Sequence, residues 1–579
     1  MNRIVHVILI FVIICLIIGF WLYRNHQNSL IKHPYEVLVA TYSPLDSMGV
    51  AIQNAYTSVL EEEGVPFRWV KRSEILKSNP VEIVKTNPVI IFPDYISLKI
   101  PLEFEIWITE YIKVGGNILI TNDSGIKMRN DRYRDTAIFS SLLGMNYITY
   151  DKYTADAYRS ANLQFRDQET ADFFQVPYGK RDENNYITSY VYGALQYPVA
   201  RIDIDDISDT EIFAYSVYEN GTRDPNILLK SFHPGNILFV NLPLGYLKAY
   251  GSDEFLLRMV LRTFLFKIIK IAHIVNMPDN KAGLVMNWQV ENNREWYNIP
   301  RMEEKGILRK NFPVSCHISA GEWLNQTGDN LGFDAANHLS LVNKLMEYGT
   351  IGSMGGWAYN WFANKLSNNQ FNDREVEQYI ARNNDLLGRI AGYKIREFTS
   401  PRSLYNHLIA GILEKNSVVS YQYMGDAGSP PNRSFIQGKI FSNRMFAFPV
   451  MPIGKHASVQ EIGRYGITAA EYEKWLMETL SYAEKNKLTT MICANFYDYR
   501  DFPQYIDPLK HFMNKAEELR NENLLLIKPM SFFADFWNKK LNTRYEFRFE
   551  DNKMFITLFY PQGMKDITIA LPKDLCRTP

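Results

Sequence analysis

The sequence predicts an α/β protein built from a doubly wound sheet followed by a distorted (β/α) barrel, with a short β-rich appendage at its end. Three observations predict it. Apolar strand-like runs alternate with amphipathic helical stretches over residues 36–125, and the alternation resumes from 282 to 527. The chain has 579 residues, material for about three or four domains. Hydrophobic residues make up 46% and charged residues 22%, the balance of a folded globular protein rather than a disordered or polytopic membrane one. Lys+Arg and Asp+Glu both number 63, so no net field steers the chain toward nucleic acid.

The first element is an apolar run from Ile4 to Leu22, broken only by His6 and closed by Trp21 and Tyr23. At 1.5 Å per residue it is roughly 28 Å long, enough to cross a bilayer. No small-x-small cleavage site follows, so residues 1–33 read as an uncleaved signal anchor and linker. Arg3 on one side and Arg24 and Lys32 on the other leave its orientation open.

Residues 34–270 form the next unit. Val37–Ala40, Val89–Phe92 and Ile118–Thr121 read as strands, and Gly49–Glu63 and Trp107–Val114 as helices between them, an order that implies parallel pairing. Gly115-Gly116 fits a tight helix-to-strand turn, since no fuller phosphate-binding fingerprint surrounds it. Runs at Ile212–Tyr215, Ile237–Val240 and Leu256–Ile269 carry the unit to about 270.

Residues 280–540 hold evenly spaced apolar segments at Ala282–Val290, Phe312–Ile318, Gly349–Gly352, Ile395–Thr399, Val418–Tyr423, Met445–Val450, Thr490–Ala494 and Leu524–Ile527. Helical stretches such as His338–Tyr348, Glu375–Ala391 and Ala469–Asn486 separate them. Short strands that are apolar throughout fit a closed or nearly closed barrel, whose function lies at the carboxyl ends of its strands. Residues 541–579 read as two or three strands with turns at Asp551-Asn552 and Gly563, packed on the barrel. The cysteines, Cys15, Cys316, Cys493 and Cys576, form no C-x-x-C pair; isolated buried thiols or one Cys316–Cys493 bridge fit them.

Two resemblances follow from these segments. "VIIFPDYISL" and "YIKVGGNILITND" resemble glutamine-amidotransferase-like domains, but no cysteine lies between Cys15 and Cys316 to act as nucleophile, which implies a non-catalytic version. "AGLVMNWQVENN", "IGSMGGWAYNWF", "REFTSPRSLYN", "YQYMGDAGSPPNRSF" and "FAFPVMPIGKHASVQE" resemble strand-end motifs of bacterial polysaccharide deacetylases with the NodB-type barrel. That resemblance implies a single-pass protein of the bacterial inner membrane, its bulk outside the cytoplasm, acting on polysaccharide, an amino-sugar polymer included, or working with envelope-assembly proteins.

It also implies a site. Family members hold zinc with one aspartate and two histidines; the positions matching the family's ligand motifs here are Gln289, Glu291, Met354 and Tyr359, with Ala358 the alternative slot, and Asn495 or Tyr497 replaces a late histidine. An amide, a thioether and a phenol are poor zinc ligands, and Glu291 alone is a plausible one. The expected reading is a degenerate barrel without a cofactor that binds or guides glycan or scaffolds a complex; the alternative is an active metal-dependent N-deacetylase with an unusual ligand set. Sugar rings stack on aromatic faces and their hydroxyls bond polar groups, so Trp357, Tyr359 and Trp361, extended by Trp288, Trp296 and Trp323, are candidate binding residues. His317, Arg396, Asp426 and Arg433 join them, with a structural histidine, an Asp turn and loop-bracing Arg396–Glu397 and Arg433–Asp426 ion pairs as the plainer readings. His456 beside Lys455 and Asp426 offer a substitute acid/base pair.

Overall fold

A computed structural model of the protein describes residues 33–147, 158–207, 209–550, 553–561 and 563–572. The run Ile4–Leu22, Cys15, Cys576 and the Asp551-Asn552 turn lie outside the described residues. Among the described residues no helix is long and apolar enough to cross a membrane.

The first unit opens with β1 (Val37–Thr41), buried on both faces, and α1 (Ser47–Glu62), whose Asp46 cap accepts the Gly49 N–H. Then come β2 (Phe67–Lys71), β3 (Val89–Phe92), α2 (Glu103–Lys113) and β4 (Asn117–Thr121). After them run β5 (Tyr158–Phe165), β6 (Gln196–Ala200), β7 (Thr210–Val217), β8 (Arg223–Ser231) and β9 (Asn236–Val240). They form one nine-stranded sheet in the order β6-β5-β7-β8-β9-β4-β3-β1-β2. Only β9, β4, β3, β1 and β2 are mutually parallel; β6, β5, β7 and β8 are antiparallel. The strands at Val37–Thr41, Val89–Phe92 and Asn117–Thr121 pair in parallel as expected, and the later strands make the sheet mixed. The reason is local: β7 reaches β8 through a short loop with Gly221 at φ 79°, which allows a hairpin but not a crossover.

Helices α3 (Leu244–Tyr250) and α4 (Phe255–Arg262) lead into the barrel. Its strands are β10 (Ala282–Val290), β11 (Val314–Ile318), β12 (Gly349–Met354), β13 (Glu397–Thr399), β14 (Ser420–Tyr423), β15 (Phe446–Pro449), β16 (Thr489–Asn495) and β17 (Leu525–Ile527). All eight are parallel and match the eight apolar segments read from the sequence. The order is β15-β14-β13-β12-β11-β10-β16, with β17 pairing the first residues of β10. No backbone pairing joins β15 to β16, so the ring is nearly closed; Phe446, Phe448, Met491 and Cys493 fill one core cluster beside that gap. Around it stand α5 (Glu295–Glu304), α6 (Leu339–Met346), α7 (Tyr359–Ser367), α8 (Asp373–Ala391), α9 (His407–Lys415), α10 (Ala469–Asn486), α11 (Ile506–Asn521) and α12 (Met530–Leu541). Cys316 and Cys493 are buried free thiols, both pushed up by burial, Cys493 to about 12.

The tail does not simply pack on the barrel. β18 (Arg544–Glu550) pairs with β19 (Lys553–Phe559) on one edge and with His33–Pro34 on the other, while Ile569–Ala570 pairs with His273–Ile274. It ties His33–Pro34, just ahead of β1, to the segment between the two units.

A buried ionic seam joins those units. Arg258 on α4 bonds Glu62 and Glu63 at the end of α1 and Glu254; Arg262 also reaches Glu63. Lys248 on α3 pairs with Glu254 and donates to Asn432 Oδ1 at 2.9 Å in the barrel unit. Arg433 donates to Glu62 at 2.9 Å and Glu61 at 2.7 Å, and Lys540 Nζ to the Glu62 carbonyl at 2.6 Å. Burial opposes every one of these charges. Arg258, Arg433 and Lys248 outweigh it at Glu62, held at about 2, and Arg262 and Arg258 do so at Glu63, also lowered. Burial wins at Glu254, raised to about 7, and at Lys540, lowered to about 7.

Candidate functional site

The inward side chains of the barrel form a polar column. Gln422 Oε1 on β14 accepts hydrogen bonds from Asn287 Nδ2 at 2.8 Å, Gln289 Nε2 at 2.6 Å and the Thr399 hydroxyl at 3.2 Å. With that hydroxyl donating, the Thr399 oxygen accepts from His317 Nδ1 at 2.5 Å, and His317 Nε2 stands 3.2 Å from Glu397 Oε2. The other Glu397 oxygen accepts the Ser531 N–H at 2.8 Å. Both ring nitrogens of His317 thus have a partner, while Asn287 Oδ1 in the same column has none among the described residues. Burial pushes the Glu397 carboxyl up, but the bonds and charge of His317, with Ser315 and Ser531, outweigh it and leave the group below its usual range. His317 is fully buried, and a Cβ at Gly352 would come within 2.3 Å of its ring. The expected cleft-lining role of His317 gives way to a structural one.

Above this column, at the carboxyl ends of β10 and β16, three carboxyls gather. Glu291 accepts from the Tyr497 hydroxyl at 2.9 Å and from Asn292 Nδ2 at 3.3 Å, and Tyr359 also bonds it. Glu295, at the start of α5, accepts the Tyr497 N–H at 3.5 Å; Asp498 accepts the Asn495 N–H at 3.2 Å. Glu295 Oε2, Asp498 Oδ1 and Asn495 Oδ1 find no hydrogen-bond partner among the described residues. The nearby cation, Arg294, lies 3.5 Å over the Tyr497 ring and 3.4 Å from Asp501, on the solvent side. Burial, then the neighbouring carboxylates, raise Asp498 to about 7 and Glu295 well above the carboxylate range; burial also raises Glu291.

The other positions singled out in the sequence divide. Tyr359 is half-buried and stacks on Trp323 at 5.3 Å; Trp361 is half-buried and stacks on Tyr379 at 4.8 Å. Trp357 is 9% exposed, with Arg382 3.8 Å over its ring, Gly321 packed against it and its indole N–H on Glu322. It belongs to the core and offers no face to a ligand. Trp288 is likewise buried, stacked on Phe496 at 4.3 Å, and Trp296 stacks on His338 at 4.0 Å. Arg396 precedes β13, at the opposite end of the barrel from the mouth, and pairs with Asp535 at 2.5 Å rather than Glu397. Arg433 sits in the ionic seam, and Asp426 accepts the Glu254 N–H at 2.9 Å, so the expected Arg433–Asp426 pair does not form. His456 stacks on Tyr465 at 4.3 Å and is lowered by burial. Gln422, Glu295 and Asp498 escaped the sequence reading; Glu295 and Asp498 each stand within four residues of a flagged position, the one local signal available.

This donor set does not fit a zinc ion. The Gln289 amide is spent on Gln422, Met354 is buried, and the Tyr359 phenol bonds Glu291. Among the described residues no group of three or more His, Cys, Asp and Glu stands so as to hold a metal ion.

No family model and no curated protein sequence matches the chain. Solved structures overlap it in part. A putative polysaccharide deacetylase from Mycobacterium smegmatis aligns at 13% identity and TM-score 0.34, over 46% of this chain and 93% of that one. A family 4 carbohydrate esterase from Streptomyces lividans in complex with acetate gives 8% and 0.26, over 42% and 90%. A β-galactosidase from Bacillus circulans sp. alkalophilus gives 11% and 0.28, over 42% of this chain and 34% of that one, so the chain spans about a third of that enzyme. Overlaps this small carry no functional weight.

Proposed function

We propose that the barrel mouth binds carbohydrate and does not hydrolyse N-acyl groups through zinc-activated water. The observation that carries this reading is the carboxamide of Gln289, hydrogen-bonded to Gln422 where the resemblance calls for a metal ligand. Beside it, Tyr359 and Trp361 are half-buried aromatics at a strand end, and the unpartnered Asn495 Oδ1 is a neutral acceptor of the kind sugar hydroxyls take. The same reading makes the chain an envelope protein held by residues 4–22, guiding a glycan or organising an assembly complex.

The test is calorimetric titration with N-acetylglucosamine oligomers, metal analysis after dialysis, and assay of acetate release. Binding that Tyr359→Phe weakens, with neither bound metal nor acetate, supports the reading; stoichiometric metal together with acetate release overturns it. One observation favours a second reading. Burial raises the Glu291 carboxyl above its usual range at the mouth, the direction a general acid needs. Hydrolysis of the oligomer that disappears in Glu291→Gln would establish that reading.

A further inference from the structure

Part of the first unit reaches over the barrel. The short hairpin formed by Thr188–Ser189 and Gly193–Ala194 is fastened to barrel loops: the Tyr190 hydroxyl donates to Glu461 Oε1 at 3.0 Å, and the Val191 N–H donates to the Lys455 carbonyl at 3.0 Å. Beneath it lies a cavity of about 700 Å³, walled on one side by this hairpin and Ser252–Asp253 and on the other by Arg402–Ser403 and Tyr423–Ala427, which follow β13 and β14.

Three features mark this cavity as built to receive a ligand. Non-glycine residues in the left-handed backbone region concentrate in its wall: Val191 (φ 72°), Ser252 (φ 48°), Arg402 (φ 51°), Ser403 (φ 53°) and Asp426 (φ 51°). For β-branched Val191 that conformation is an outlier, held by the bond to Lys455, and such residues gather at ligand clamps. Tyr190, Tyr192 and Tyr423 line the same space, and Tyr192 is 77% exposed at the hairpin tip, leaving its ring free to stack. Asp253 is 7% exposed, yet its Oδ1 makes no hydrogen bond and stands 3.6 Å from a Lys180 ammonium that is itself unbonded.

One residue of the cavity wall reaches toward the mouth. Arg402 donates to Asn364 Oδ1 at 2.8 Å on α7, and its charge acts on Tyr359, the phenol that bonds Glu291. The exposed Tyr192 ring and the exposed Arg402 side chain suit a polyhydroxylated chain that runs from the mouth to the hairpin.

We infer that this cavity is a second saccharide subsite, shared by both units, and that the ligand is an oligosaccharide spanning it and the barrel mouth. This rests on the carbohydrate reading above and adds a length requirement to it. The test titrates the full chain with the dimer and the hexamer of N-acetylglucosamine and follows amide exchange over residues 189–195. The expected result is tighter binding of the hexamer, slower exchange in the hairpin on adding it, and loss of about three- to tenfold in hexamer affinity in Tyr192→Ala with dimer affinity unchanged. Hexamer affinity and hairpin exchange unmoved by Tyr192→Ala and by Arg402→Gln, while Tyr359→Phe weakens both sugars, would overturn the subsite and leave the mouth reading standing. Failure of the wild-type chain to bind either sugar would overturn both.

Discussion

The seam between the two units and the mouth of the barrel both bury carboxyl groups, and they treat them in opposite ways. At the seam, Glu62 and Glu63 meet the guanidiniums of Arg258, Arg262 and Arg433 and stay ionised. At the mouth, Glu291, Glu295 and Asp498 have beside them only the partly exposed Arg294, and burial raises all three. Glu62 and Glu63 thus serve as fixed charges while the mouth carboxyls are raised, and buried cations set against burial make the difference; Glu254, raised to about 7 beside Arg258 and Lys248, shows where burial still wins inside the seam.

The largest test of this contrast is Arg258→Met. It leaves Glu62, Glu63 and Glu254 facing one another inside the seam, and removing one partner of a buried ionic group costs about 3–5 kcal/mol. Urea unfolding should register that loss, and a loss below 1 kcal/mol would mean the seam is not a fixed-charge lattice.

Unfolding against pH separates the two regions by sign. The folded values of Glu62 and Glu63 lie below their unfolded ones, so their stabilisation is complete above about pH 4.5 and is lost as pH falls toward 2. Asp498 and Glu295 have raised folded values, so their contribution is complete below about pH 4 and is lost as pH rises, for Asp498 through about 7. Glu295→Gln should therefore match the wild type in acid and overtake it above about pH 5, by up to ~1.4 kcal/mol per pH unit. A constant offset between the two at every pH would contradict the proton-holding role.

The smallest effect belongs to Tyr497→Phe. It removes one hydrogen bond to Glu291, worth about 0.5–1.5 kcal/mol, and should push the Glu291 titration further upward, since that bond favours the ionised form. Carboxyl chemical shifts followed through a pH titration would show it; a downward move would refute the assignment.

The barrel was legible in the sequence because each strand is a short apolar run bounded by turns, and parallel strands buried on both faces leave that mark. The antiparallel half of the first sheet was less legible: β5, β7 and β8 mix polar and apolar residues, and nothing local says which neighbour they pair with. Candidate residues fared according to what sequence encodes. The absence of histidine at Gln289, Met354 and Tyr359 could be read directly. That Trp357 points into the core while Tyr359, two residues on, meets Glu291 depends on Ala358 adopting φ 60° as the chain turns into α7, and no composition rule gives that. Arg433 was misplaced for a similar reason, since its partners lie some 370 residues earlier in the chain, at Glu61 and Glu62.

The missing pairing between β15 and β16 has a mechanical corollary. A fully hydrogen-bonded ring has a circumference fixed by its backbone, whereas here that stretch is set by how Phe446, Phe448 and Met491 interdigitate. The aperture above can therefore be retuned by trimming one of these side chains, without touching a residue that faces the lumen column.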